Sequence, residues 1–221
     1  MNYMLHNAFL NIKTSPKIMA SLRWPLRLIL VAVLLFVTYT GLRAITETFD
    51  NENFPEALAV KLQLLPLIFP IHMATGGLAL LLVPLMIWSR GTPLHKRLGW
   101  PVAAVILVAG ATAPFVALIM PVTTVSALGF AAQAVVWLAL LAAGLWHVRH
   151  GRIEAHQNCM ILMAAVTSGA VFFRVYLGLF ARFGDRHYFY LFYACDAWLA
   201  WGLPLIMVAL LIRRPASPNS A

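Results

Sequence analysis

The chain has 221 residues, of which 62% are hydrophobic and only 10% are charged, and its mean hydropathy is +0.84. Soluble domains carry about 25% charged residues, so this composition is typical of a protein embedded in a lipid bilayer. It excludes a soluble enzyme, a secreted disulfide scaffold and a disordered chain. The formal charge of +9 fits the cytoplasmic loops of a membrane protein, which collect Lys and Arg, and we expect no nucleic-acid partner.

Six apolar segments are long enough to cross a bilayer, which takes about 20 residues per helix. We therefore predict an all-α, polytopic membrane protein with a six-helix bundle over residues 25–212. The first segment follows a basic leader, residues 1–24, and lacks a small-residue cleavage site, so we expect a retained anchor rather than a signal peptide. The predicted spans are residues 25–41, 68–88, 100–120, 126–147, 158–181 and 190–212.

The basic residues are distributed unequally between the two sides of the predicted bundle. Eleven fall on the side that carries both termini and four on the other, with Arg174 left inside a span. Cytoplasmic loops are enriched in Lys and Arg, so we expect both termini in the cytoplasm. Residues 43–67, which hold four of the seven acids, then form an outward acidic loop, and residues 213–221 form a disordered cytoplasmic tail.

Four polar side chains fall in the outer half of the predicted spans, where an ionisable residue costs about 2.5 to 3.5 kcal/mol. Arg174 and Asp196 lie at the same depth on consecutive helices, so one interpretation is an ion pair that clamps these helices together. A functional interpretation adds His72, which exchanges a proton near neutral pH, and Gln133 at similar depth. The predicted intramembrane polar cluster is His72, Gln133, Arg174 and Asp196, with Tyr176 and Tyr193 as further hydrogen-bonding groups.

Four histidines lie at the cytoplasmic ends of the predicted helices. His147 and His150 are interpreted as solvated loop residues, because nothing in the pattern places them on a buried face. His156 and Arg174 are about five helical turns apart and share one face of the fifth span, which should point into the bundle. That face comprises His156, Met160, Met163, Thr167, Ala170 and Arg174.

The second predicted span places Gly76 one turn after His72. A glycine in that position leaves a flat recess on the face that carries the histidine. Such a recess admits the edge of a porphyrin or a quinone. Glycine also serves simply for close packing between membrane helices, so both interpretations stand at this point.

Three histidine-containing blocks follow one another along the chain. They are His72-x-x-x-Gly76, the segment HKRLGW that begins at His95, and His156-x-x-x-Met160 followed by Arg174-x-Tyr176. Over residues 65–212 these blocks resemble a family of bacterial membrane proteins known as domain of unknown function 2306. The resemblance implies a multi-spanning bundle in a bacterial inner membrane with histidines at these positions, and it implies no reaction. The histidines at helix ends are also similar to those of small membrane cytochromes b.

The first functional hypothesis is haem b binding with electron transfer to or from a quinone or another redox partner. His95 and His156 lie at one depth and would ligate one haem iron, or a transition metal. Arg97 and Arg152 would hold the haem propionates, because a guanidinium bonds a carboxylate through two hydrogens. His72 lies about 24 Å from the inner end of its helix, too far from that iron, so a second haem there would need His187 as its partner.

Two hypotheses from other classes remain. One is a proton-coupled transporter that uses His72, Arg174 and Asp196 as a relay, although the sequence contains no inverted repeat. The other is a structural or assembly subunit in which the polar residues only lock helices together. The sequence contains no phosphate-binding loop, no His-Glu-x-x-His zinc motif and no Cys-x-x-Cys pair, so it leaves open whether the protein is an enzyme.

Overall fold

The computed structural model describes residues 16–49 and 56–212, with side chains described at position 28 and over 31–46 and 59–212. All of the secondary structure in these ranges is helical. A short 3-10 helix, Arg186–Tyr188, precedes the last α-helix. In chain order the α-helices are α1 (Pro16–Phe49), α2 (Glu56–Leu64), α3 (Ile68–Trp88), α4 (Pro93–Leu118), α5 (Thr124–Arg149), α6 (Ile153–Phe183) and α7 (Phe189–Ile212).

Five helical segments of the described chain are long and apolar enough to cross a membrane, which confirms the polytopic all-α fold. The first predicted span, residues 25–41, lies within α1, whose residues Val31–Thr46 form a further apolar stretch. The chain divides into two compact units, residues 1–36 and residues 37–221, and the five segments belong to the second. They are Ile68–Trp88, Pro93–Leu118, Thr124–Arg149, Ile153–Phe183 and Arg186–Ile212.

The predicted acidic loop, residues 43–67, is largely helical where it is described. α1 continues to Phe49, and α2 covers Glu56–Leu64. This helical structure was not predicted, because the prediction relied on apolar length and residues 43–67 carry four acids. Residues 1–15 of the predicted leader, residues 50–55 of the loop and residues 213–221 of the tail lie outside the described residues.

Two helices begin earlier than hydropathy predicts, and this moves the candidate histidines inside them. α4 begins at Pro93, because the Thr92 hydroxyl accepts the backbone N–H of His95 and proline suits the first helical position. α6 begins at Ile153, three residues before His156. Both histidines therefore lie in the first turn of a helix, where the following turns fix their direction.

Helices α3, α4, α5 and α6 form a closed four-helix bundle, since each packs against the next and α3 also contacts α6. α7 packs on the outside of this bundle, against α5 and α6. The end of the bundle that carries the α3–α4 and α5–α6 loops is called the basic end below. The bundle core comprises Ala79, Val83, Val102, Ala103, Ile106, Leu141 and Met163.

Two glycines permit helix contacts that a side chain would block. A Cβ atom on Gly77 of α3 would lie 2.6 Å from the carbonyl oxygen of Gly41 in α1. A Cβ atom on Gly169 of α6 would lie 2.6 Å from the Cβ of Trp201 in α7. Close contact at small residues is the usual way in which membrane helices associate, so these positions permit the close approach of α3 to Gly41 and of α6 to α7.

Candidate functional site

His95 and His156 are each oriented by a hydrogen bond to a different helix. Nδ1 of His95 lies 3.1 Å from the carbonyl oxygen of Met86 on α3. Nδ1 of His156 lies 2.9 Å from the carbonyl oxygen of Gly144 on α5. A carbonyl oxygen only accepts, so in both rings Nδ1 carries the proton and donates it. Nε2 therefore holds the lone pair in the neutral ring and is the atom that can act as a ligand or a base.

The two histidines lie at the same end of the bundle on diagonally opposed helices. α4 and α6 are diagonal because α3 and α5 each pack between them. The side chains around this end are partly buried and pack against the bundle core, and two of them are flexible methionines. They are Met86, Leu98, Leu145 and Met160. The described contacts therefore place soft apolar side chains at the end of the bundle that carries the two rings.

The arginines expected near these histidines are exposed, and one has a different partner. Arg97 is exposed on the first turns of α4. The guanidinium of Arg152 lies 5.0 Å from the ring centroid of Trp146, in a cation–π contact. No group of three or more His, Cys, Asp or Glu side chains in the described part of the chain is close enough to hold a metal ion.

The other two histidines of the basic end differ in their surroundings. His150 is exposed, and its Nδ1 lies 2.8 Å from the carbonyl oxygen of Trp146 on its own helix. This agrees with the interpretation of His150 as a loop residue. His147 is half-buried, and its Nδ1 is buried without a hydrogen-bond partner. Describing His147 as a solvated loop residue was wrong, because α5 continues to Arg149 and this nitrogen is buried.

His72 lies toward the opposite end of the bundle and points at α4. Its Nδ1 is 3.1 Å from the carbonyl oxygen of Ala109 and 3.2 Å from the hydroxyl oxygen of Thr112. A Cβ atom on Gly76 would meet nothing within 4 Å, so Gly77, and not Gly76, is the close-packing glycine of this helix. His187, the partner proposed for a second haem, is exposed in the 3-10 helix.

The predicted ion pair between Arg174 and Asp196 is wrong. Both carboxylate oxygens of Asp196 are buried and have no hydrogen-bond partner in the described part of the chain, and the residue is 2% exposed. Arg174 is exposed, and its Nη1 donates to the carbonyl oxygen of Ala170 at 2.8 Å. The prediction matched the depths of the two residues, but depth does not fix the rotation of each helix about its axis. The face of α6 is buried at Met163 and Thr167 as expected, and departs from the prediction at Arg174.

Gln133, the fourth member of the predicted polar cluster, joins two helices. Its Nε2 donates to the carbonyl oxygen of Val166 at 3.1 Å, which connects α5 to α6. One turn away, Nε1 of Trp137 donates to the hydroxyl of Thr167 at 2.9 Å. Sequence reasoning missed this second bond, although an indole and a hydroxyl at similar depths on adjacent spans were visible. Gln133 therefore connects two packed helices of the bundle.

A cleft of about 550 Å³ lies between the C-terminal part of α6 and the N-terminal half of α7. It is far from the basic end, and sequence reasoning did not predict it. Its walls are apolar and aromatic apart from Asp196 and the hydroxyl of Tyr176. The lining residues are Tyr176, Leu179, Phe180, Phe183, Gly184, Phe192, Cys195, Asp196 and Leu199.

These features define a polytopic helical membrane protein with a histidine-bearing four-helix bundle and an aspartate-containing cleft on its flank. A family model described as "Predicted membrane protein (DUF2306)" matches residues 69–212, from the first turn of α3 to the end of α7. The chain belongs to this family, which confirms the resemblance recognised from the histidine blocks. No curated protein and no solved structure matches the chain.

Proposed function

We propose that this protein is a membrane electron carrier that binds haem b at the basic end of its four-helix bundle, with a quinone as redox partner. Nε2 of His95 and Nε2 of His156 would hold the haem iron. The observation that carries the proposal is the Nδ1 hydrogen bond of each ring to a carbonyl of a neighbouring helix. Metal-ligating histidines almost always donate the other ring N–H to a carboxylate, carbonyl or water, which fixes the tautomer and raises the basicity of the ligand.

The arrangement of the helices supports two ligands that approach from opposite sides. Two histidines that hold one haem would have to reach it from different sides of the bundle. Ligands on the diagonal helices α4 and α6 of a four-helix bundle meet this requirement better than ligands on neighbouring helices. Met86 and Met160 are unbranched and can repack around a flat macrocycle.

The charge at this end supports the same proposal. A haem carries two propionates, and a bilayer-embedded cofactor needs cations near the interface to bind them. Lys96 and Arg97 are exposed one and two residues after His95, and Arg152 precedes α6. A guanidinium suits this task because it forms two parallel hydrogen bonds to one carboxylate. The haem, when bound, would supply one-electron redox chemistry.

The contacts of the polar residues favour this function over the two alternatives. A proton relay needs its members in hydrogen-bonding sequence, whereas Asp196 has no hydrogen-bond partner among the described residues. A purely structural subunit accounts for Gln133, which joins α5 to α6. It does not account for two half-buried histidines whose Nε2 atoms are left free of helix-locking bonds in the described contacts.

The optical spectrum of the protein purified from haem-supplied cells tests the proposal. We expect a Soret band in the wild type and its loss in His95→Ala and in His156→Ala. His150→Ala is the matched control, because His150 also donates Nδ1–H to a carbonyl but only within its own helix, and the band should persist. A wild-type protein without a Soret band, or a band that survives both His95→Ala and His156→Ala, would overturn the proposal.

A further inference from the structure

The cleft between α6 and α7 contains a polar group that the rest of the fold does not use. Asp196 lies in its wall at 2% exposure, and neither carboxylate oxygen has a hydrogen-bond partner among the described residues. A buried carboxylate without hydrogen bonds destabilises the folded state. Such groups are rare in native structures and are commonly retained for function at a cost in stability. Asp196 is therefore the polar side chain of the cleft wall that lacks a partner among the described residues.

The remaining wall is suited to a flat apolar ring. Phe180 of α6 and Phe192 of α7 are stacked, with ring centroids 4.2 Å apart and planes 15° apart. Tyr176 lies on the same face of α6, one turn before Phe180. A cleft of about 550 Å³ lies within the usual range for small-molecule sites, about 300–1,000 Å³.

The open side of the cleft faces away from the bundle. Leu179 is 52% exposed, Phe183 is 79% exposed and Leu199 is 55% exposed. Large apolar side chains on the outside of a membrane span face lipid. Asp196 is seven residues into α7, about 10 Å along the helix from its first residue, so the cleft is within the apolar layer. A ligand would therefore enter from the bilayer and not from water.

We infer that this cleft binds the ring of a membrane-dissolved hydroquinone, whose phenolic O–H donates a hydrogen bond to the carboxylate of Asp196. When it is ionised, this carboxylate only accepts, so a ligand that bonds to it in that state must supply a donor. The ligand must also be flat to lie against the phenylalanine pair and neutral to dissolve in the bilayer. A hydroquinone meets all three conditions, whereas an oxidised quinone carries acceptors alone. The choice of a hydroquinone rests on the proposed electron-transfer function, while the site rests on Asp196 and the cleft.

Photolabelling of the full-length protein in lipid nanodiscs tests the inference. The probe is a decyl hydroquinone with a diazirine on its tail, kept reduced with ascorbate under argon. We expect the label on residues 176–184 and 192–199, and we expect unlabelled decyl hydroquinone to compete for it. The dimethyl ether of decyl hydroquinone has the same ring without a donor and should compete about tenfold to a hundredfold less well. Labelling elsewhere, or equal competition by the ether, would overturn the inference.

Two variants provide an independent test. Asp196→Leu should reduce labelling by about tenfold or more, because the acceptor of a charge-assisted hydrogen bond is removed. Asp185→Asn is the matched control, since Asp185 is the exposed aspartate between the same two helices and should leave labelling unchanged. If a folded Asp196→Leu protein is labelled to the same extent as the wild type, the inference is contradicted. The ether comparison needs no variant and decides the question if Asp196→Leu does not fold.

The outcome separates this inference from the haem proposal. A Soret band with no labelling of the cleft would reject the hydroquinone site and leave haem binding intact. Labelling of the cleft in a protein without haem would reject the electron carrier and support the site.

Discussion

Replacing Asp196 by leucine should stabilise the protein, although the residue is buried. In the described contacts both carboxylate oxygens lack a hydrogen-bond partner, so the substitution removes a desolvated polar group without breaking a bond. Leaving such a group unsatisfied costs about 1–3 kcal/mol, and more if it is charged. Leucine is slightly larger than aspartate, and the adjoining cleft has room for the extra volume.

The expected gain is therefore about 1–3 kcal/mol in the free energy of unfolding. For a chain of this size each kcal/mol corresponds to about 2–4 °C in Tm. Thermal unfolding in detergent, followed by tryptophan fluorescence, should show Asp196→Leu melting above the wild type. A drop in stability of about 1 kcal/mol or more would refute the reasoning, because it would mean that the carboxylate has a stabilising partner.

A double-mutant cycle that combines Asp196→Leu with Arg174→Gln tests whether Arg174 is a stabilising partner of Asp196, without relying on absolute stabilities. A buried ion pair that loses one partner costs about 3–5 kcal/mol, and the coupling energy is then large. Since the guanidinium of Arg174 bonds to Ala170 and the oxygens of Asp196 have no partner, we expect a coupling energy of about 0.5 kcal/mol or less. A coupling energy of about 2 kcal/mol or more would show that the two side chains form the ion pair after all.

Three further predictions concern packing, pH dependence and topology. Gly169→Ala should destabilise the protein by about 1–3 kcal/mol, because the new Cβ would overlap Trp201, whereas Gly178→Ala has open space and should be neutral by thermal unfolding. Burial lowers the pKa of Lys61, whose Nζ donates to the carbonyl oxygen of Val116 at 2.6 Å. The unfolded chain therefore binds the Lys61 proton more tightly than the folded chain does. The free energy of unfolding should then rise as pH increases from the lowered pKa to the ordinary value of 10.5. In chemical denaturation, Lys61→Met should lack that rise. Because basic residues are in excess on the side that carries both termini, both termini should be cytoplasmic. A reporter that works only in the periplasm should therefore be inactive when it is fused to the C-terminus. Activity of this reporter would overturn the orientation.

The spans were predictable because the length of an apolar segment can be counted from the sequence alone. Residues 68–88 were predicted as a span and form α3 over the same range. The start of α4 was not predicted, because its first turn contains His95, Lys96 and Arg97 and is polar. The Thr92–Pro93 cap was the available signal, and a search for helix caps rather than hydropathy would have found it.

The contacts between helices were less predictable than the helices themselves. Depth along a span follows from counting residues, but the rotation of each helix depends on which side chains pack against its neighbour. Gly169 and Trp201 fix that rotation for α6 and α7, and neither was used in predicting the ion pair of Arg174 and Asp196. The backbone carbonyl that orients His156 also has no sequence signature, because every residue carries one.

The cleft had a sequence signal that was not used. On α6, Tyr176, Phe180 and Phe183 follow one another at intervals of four and three residues, which places them on one helix face. On α7, Phe192 and Asp196 are four residues apart and share a face in the same way. An aspartate within an aromatic face of a membrane span was therefore visible in advance as a candidate binding site.

The most direct test of the central claim is the amount of haem b bound per chain in the purified protein, determined by pyridine haemochrome assay against amino-acid analysis. The proposed pair of axial ligands predicts one haem for each chain of wild type and none in the His95→Ala/His156→Ala double variant. Haem-free wild-type protein from haem-supplied cells, or a double variant that retains its haem, would contradict the account.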